Sequence, residues 1–182
     1  MPSPIAHAVS GYAIAKGVNP LSRMWHVAFY AVFVAIAADF DFIPQLVTSV
    51  NTHRGFTHSL GFALLFSGVV SAVIARRTSF KYRPTLLLTL TLYGSHLLLD
   101  FLTQGGTGIP LLWPISDSHF QSTIVLFPAV HHSHGLFDSI HVRFLSFELI
   151  YTVVLLWGIS QWTSYKHQRR KQTLNDENRM PL

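Results

Sequence analysis

Apolar positions in this chain gather into four runs, at about residues 24–43, 58–75, 84–102 and 144–163. Each is close to the roughly 20 mostly apolar residues that a helix needs to cross a bilayer. Pro44 suits the end of the first run, and Pro84 suits the first turn of the third, where a missing N–H costs nothing. A fifth run, residues 5–18, has helical character but is too short to span. The pattern predicts an all-α fold: a polytopic membrane helical bundle of four transmembrane helices plus a short N-terminal re-entrant or interfacial helix. Residues 1–165 are expected to form the membrane-embedded unit, and 166–182 a disordered basic and polar tail.

Composition supports the same class. Hydrophobic residues make up 49% of the 182 and charged residues 12%, about half the usual soluble share, and mean hydropathy is +0.36. The net charge of +5 is clustered beside the apolar runs, at residues 76–83 and 166–170. Basic clusters so placed act as topology signals and argue against a nucleic-acid partner. With four spans, Lys16, Arg23, Arg76, Arg77, Lys81, Arg83 and the basic residues after 165 share one side, predicted to be cytoplasmic. The N-terminus has no basic leader region and Lys16 interrupts its apolar run, so no cleaved signal is expected.

The chemistry then gathers at the opposite end. There are eleven His and no Cys, so any metal site must use imidazole and carboxylate. His96 and Asp100 form H-x-x-x-D, and positions i and i+4 share a helix face. Such a pair inside a span faces a cavity, a partner or a functional site, or else it holds helices together as a buried ion pair. Asp39 and Asp41 end the first run. On a continuous helix they would point about 200° apart, so they converge only if the helix loosens there; otherwise they mark the membrane edge. The stretch H-R-G-F-T-H-S, residues 53–59, places His53 and His58 either side of a glycine in a loop entering a helix. Thr57 or Ser59 could cap that helix. Arg54 could clamp a phosphate in a bidentate fashion or pair with an aspartate.

The early His7, the Asp39/Asp41 pair, H-R-G-F-T-H-S, H-L-L-L-D and L-L-W-P-I-S together resemble the YdjM family over about residues 1–120. These are small inner-membrane proteins described as membrane-bound metal-dependent hydrolases and distantly similar to zinc-dependent phospholipase C. The resemblance implies an inner (plasma) membrane location in a bacterium or archaeon. It implies His7, Asp39 or Asp41, His53, His58, His96 and Asp100 as metal ligands, with Arg54 and Thr57 beside them. His7 reaches them only if residues 5–18 dip in from the outer face. His134 and Asp138, in the His-rich loop 131–141, repeat the i, i+4 spacing. They supply further ligands, or belong to a solvated loop. Glu148, one turn into the fourth run, could reach the same cavity as ligand or base.

The expected function is a metal-dependent hydrolase acting on a phosphoester of a membrane lipid or lipid-linked substrate. Metal-activated water attacks, and Arg54, Thr57 and Glu148 assist. One or two divalent ions are expected, Zn first, with Mn or Fe also suited to this donor set. A metal-ion or proton-coupled transporter is the alternative, because intramembrane His and Asp also build ion paths. The clustering of polar groups at one end and the lack of an internal repeat weigh against it. A non-enzymatic scaffold with a structural metal ranks third.

Overall fold

A computed structural model describes residues 2–18, 25–44, 54–104, 106–128 and 139–177. Among the described residues the fold is all-α, with five helices: α1 (Pro4–Val18), α2 (Trp25–Ile36), α3 (Leu60–Arg77), α4 (Tyr82–Phe101) and α5 (Ser139–Glu177). Two short 3-10 helices, Ala37–Phe42 and Phe56–His58, extend α2 and precede α3. Among the described residues three stretches, Trp25–Phe42, Leu60–Arg77 and His141–Asn175, are long and apolar enough to cross a membrane. Sequence reading expects four. The remaining one falls on α4, which has the length but carries Thr85, Thr89, Thr91, Ser95, His96 and Asp100, and is less apolar for it.

The outward faces are apolar. Phe29, Leu64, Val73, Val153 and Trp157 are all more than half exposed. In hydrocarbon such a surface costs nothing, and polar groups must turn inward. They do: Ala63, Ser67 and Ser71 form the buried stripe of α3, packed on α4. Thr89 of α4 bonds the hydroxyl of Tyr30 at 2.5 Å and approaches that of Ser71 at 3.3 Å. Small residues and hydroxyls of this kind hold helices together where no hydrophobic force separates protein from lipid.

α1 settles the question left by the sequence. Too short to span, it packs against α2, α4 and α5, with Ala6, His7, Ser10, Gly11, Ala13 and Ala15 buried. It is therefore an inserted element of the bundle, not a helix lying flat on the surface. Gly11 makes the close approach possible: a Cβ there would lie 2.6 Å from the Ala31 carbonyl oxygen and 2.7 Å from Ala35 Cβ. Two hydroxyls and a carboxylate fix α1 to α5. Ser10 and Tyr151 share a 2.7 Å hydrogen bond. Glu148 accepts from the Ser3 backbone N–H and, at 2.7 Å, from the Ser3 hydroxyl. A buried carboxylate at the positive end of α1 is also favoured by the helix dipole.

After α4, residues 106–128 cap one end of the bundle. Isolated bridges join Thr103 to Phe127 and Ile109 to Phe120. The L-L-W-P-I-S stretch lies over the start of α3, where Leu60 N–H donates to Leu111 O at 2.9 Å and the Phe56 and Trp113 rings meet at 5.5 Å. α5 runs 39 residues. The polar segment after 165, expected as a disordered tail, continues as helix to Glu177. Its Lys, Arg and Gln are good helix formers and simply extend the preceding span.

If Gly11 sets the α1–α2 spacing, Gly11→Ala is expected to destabilise the bundle by about 1–3 kcal/mol, the usual cost of overpacking. Thermal unfolding in detergent measures it. Gly94→Ala is the control and leaves stability unchanged or slightly higher, because a Cβ there meets nothing within 4 Å.

Candidate metal centre

Four separate elements deliver the site. α1 brings His7, the 3-10 helix after α2 brings Asp39, the 3-10 helix before α3 brings His58, and α4 brings His96 and Asp100. All five are buried. Two groups have ligand atoms within 4.8 Å of one another: His7, His96 and Asp100, and Asp39, His58 and His96. Asp100 joins them. Its Oδ1 lies 3.6 Å from His7 Nε2, and its Oδ2 lies 3.2 Å from His58 Nε2 and 3.8 Å from His96 Nε2. Asp39 Oδ1 stands 3.8 Å from His58 Nε2 and 3.7 Å from His96 Nε2. The His7 and His96 rings stack at 3.9 Å.

Surrounding groups aim the imidazoles. His96 Nδ1 lies 2.8 Å from the Ala35 carbonyl oxygen, which can only accept. Nδ1 therefore carries the proton, and the lone pair is on Nε2, facing the cluster. His58 is held the same way, with Nδ1 3.1 Å from Asp41 Oδ2. His96 Nε2 and His58 Nε2 then face each other at 3.2 Å. Thr57 supports this arrangement, donating to Asp41 Oδ2 at 2.8 Å, while Tyr93 OH donates to the Thr57 carbonyl at 2.8 Å.

The donor set fits a cation. Both ring nitrogens of His7 and all four carboxylate oxygens of Asp39 and Asp100 are buried without a hydrogen-bond partner among the described residues. They approach imidazoles in distance but are not aligned as hydrogen bonds. Buried carboxylates left this way cost several kcal/mol each unless a positive charge compensates them. His58, just ahead of the Leu60–Arg77 segment, reports the same field. Burial disfavours its charge, yet the carboxylates of Asp100, Asp39 and Asp41 outweigh burial and hold its pKa at about 11. A metal ion bound at His58 Nε2 would take the place of that proton.

The structure brings together His7, Asp39, His58, His96 and Asp100. It places Asp41 behind His58, where it orients the ring. Asp39 and Asp41 do not converge; they sit at opposite nitrogens of one imidazole, as the 3-10 turn of about 120° per residue allows. Thr57 holds Asp41, and the helix cap falls to Ser59, whose hydroxyl accepts from Phe62 N–H at 3.1 Å. Glu148, expected near the cavity as ligand or base, bonds Ser3 and anchors α1. The geometric reason is that it faces the α1 N-terminus, one turn before His7. Arg54 takes a left-handed backbone (φ 62°), and its guanidinium lies against Gly106, where a Cβ would come 2.7 Å from Nη1. His53, His134 and Asp138 lie outside the described residues. His26, His119 and His167 are exposed. No sequence signal marks Ala35, whose carbonyl acts through the backbone.

The chain belongs to the YdjM inner membrane protein family, whose model matches residues 1–170. Among curated proteins it is similar to the inner membrane protein YbcI of Escherichia coli strain K12. The two are 36% identical over 126 residues, covering 66% of this chain and 72% of that protein. No solved structure matches significantly.

If the cluster binds a metal through His58, with Asp41 orienting that ring, Asp41→Asn is expected to weaken the binding about 10- to 100-fold, the usual loss for a carboxylate behind a ligating histidine. Competition titration against a chromophoric chelator measures it. An unchanged affinity would show that Asp41 does not orient His58.

Proposed function

We propose that this member of the YdjM family is a membrane-bound metal-dependent hydrolase cleaving a phosphoester of a lipid or another membrane-proximal substrate. The observation that carries this reading is the convergence of His7, Asp39, His58, His96 and Asp100 in one buried cluster whose carboxylates lack hydrogen-bond donors. A pair of helices can be tied by one Asp–His contact. Five such groups from four elements exceed that need.

Asp39, His58 and His96 are assigned as one ligand group, and His7 with Asp100 as the second. His96 has a single lone pair facing the cluster, so it serves one ion at a time; a second ion rests on His7 and Asp100. Imidazole and carboxylate without sulfur suit Zn, with Mn or Fe next. When bound, such an ion polarises a phosphoryl oxygen and makes water acidic enough to act as a nucleophile near neutral pH. Arg54 is assigned to the phosphate, since its planar fork matches two phosphoryl oxygens and its segment leads directly into His58. Asp41 and Thr57 keep His58 in the required tautomer. With α4 taken as a fourth span, the basic residues of the α3–α4 turn and of the α5 end fall on one side, the cytoplasm. The cluster then lies toward the extracytoplasmic end of the bundle, at the level of lipid head groups.

Detergent-purified protein is expected to carry about one or two Zn or similar ions per chain by elemental analysis. It should also release phosphate or a phosphorylated head group from one member of a lipid-phosphate panel. His96→Ala and His58→Ala lose metal and reduce turnover at least 100-fold, whereas Arg54→Ala mainly raises KM. Protein that stays metal-free after reconstitution, or His96→Ala protein with normal turnover, contradicts the proposal.

A further inference from the structure

A groove of about 790 Å³ runs down the outside of the bundle between α1, α4 and α5. Its lining is almost wholly apolar. Two of its walls are the helices that carry metal ligands. Ser10 lies one turn beyond His7 on α1, and Leu99 lies next to Asp100 on α4. The hydroxyls of Ser10 and Tyr151, which line it, are spent on each other and on the Ala6 carbonyl. Its wall therefore presents no polar atom in need of a partner at that point.

The groove also has a defined depth. It begins beside Leu99 and Leu126, at the end of the bundle where the cluster lies, and reaches Trp162 on α5. The Lys166 ammonium sits 5.0 Å from the Trp162 ring, a pairing typical of the membrane–water interface. Phe147 to Trp162 is about 22 Å of helix, most of the roughly 30 Å hydrocarbon core. Along this length the surrounding medium is hydrocarbon. An apolar cleft of ligand size within it is shaped for a single hydrocarbon chain. Beside Gly158, which lines the groove, the space is open: a Cβ there meets nothing within 4 Å.

We propose that this groove holds one hydrocarbon tail of a phosphate-headed lipid whose head group is presented to the buried His/Asp cluster. The proposal rests on the hydrolase reading for the head and on the groove itself for the tail. It makes the substrate a lipid and places specificity for tail length in α1, α4 and α5, away from the metal ligands.

The test uses the full chain in detergent with a phosphatidic acid carrying a photoreactive diazirine in one tail. Saturable cross-links are expected on the groove residues of α1, α4 and α5. Unlabelled phosphatidic acid and an isoprenoid phosphate serve as separate competitors, and the stronger one identifies the tail class. Diacylglycerol, which lacks the phosphate, competes at least 10-fold less well. Gly158→Phe, and the milder Gly158→Leu, fill the groove and reduce this labelling at least 10-fold. Both lower kcat/KM for the long-chain lipid by a similar factor while leaving hydrolysis of a short, water-soluble phosphoester unchanged. Labelling spread evenly around the bundle, or cross-links joining two copies across the groove with no lipid captured, overturns the proposal. Saturable groove labelling in a protein that hydrolyses nothing supports the tail site and defeats the hydrolase reading. Lipid turnover that Gly158→Phe leaves intact does the reverse.

Discussion

Two carboxylates buried without hydrogen-bond donors, amid three imidazoles, set the terms for this bundle. In a low-dielectric interior such groups are stable only when positive charge is shared among them. Asp39 and Asp100 stand 3.2–3.8 Å from the imidazoles of His7, His58 and His96, the groups through which a shared positive charge must act. Each of these residues sits on a different turn of the architecture or one turn away along α4. The positions of four elements are therefore tied to a single electrostatic requirement.

The backbone meets that requirement through close packing of small side chains. Gly11 against Ala31 and Ala35 brings α1 into the bundle, and the Ser3–Glu148 and Ser10–Tyr151 contacts hold it there. A 15-residue helix could not stay at membrane depth without such partners, since its ends would leave backbone groups unsatisfied in hydrocarbon. Glu148 therefore matters to the cluster indirectly. It fixes the helix that carries His7, and contributes no ligand atom of its own.

Around the cluster, two acceptors decide which nitrogen of His96 and of His58 faces inward. The Ala35 carbonyl and the Asp41 carboxylate take the Nδ1 protons of His96 and His58, so both Nε2 atoms face the same small volume. That arrangement is unfavourable for two neutral rings alone and favourable around a cation. The apolar groove beginning beside Leu99 is walled in part by α1 and α4, the helices that carry His7, His96 and Asp100.

Much of this was legible in the chain because it depends on local periodicity. The apolar runs fix an all-α membrane protein through bilayer thickness, and H-x-x-x-D puts His96 and Asp100 on one face through the helical repeat. H-R-G-F-T-H-S marked the turn bearing His58, and the family resemblance drew His7 and Asp39 to the same list. Tertiary structure decided the rest. It parted Asp39 from Asp41, because a 3-10 turn rotates each residue about 120° and the His58 ring enters between them. It carried His7 inward and gave Glu148 to Ser3. Those outcomes turn on contacts between residues up to 145 positions apart, such as Ser3 and Glu148. Spacing along the chain sets which face a side chain occupies; only the packing of small residues between helices sets which other face it meets.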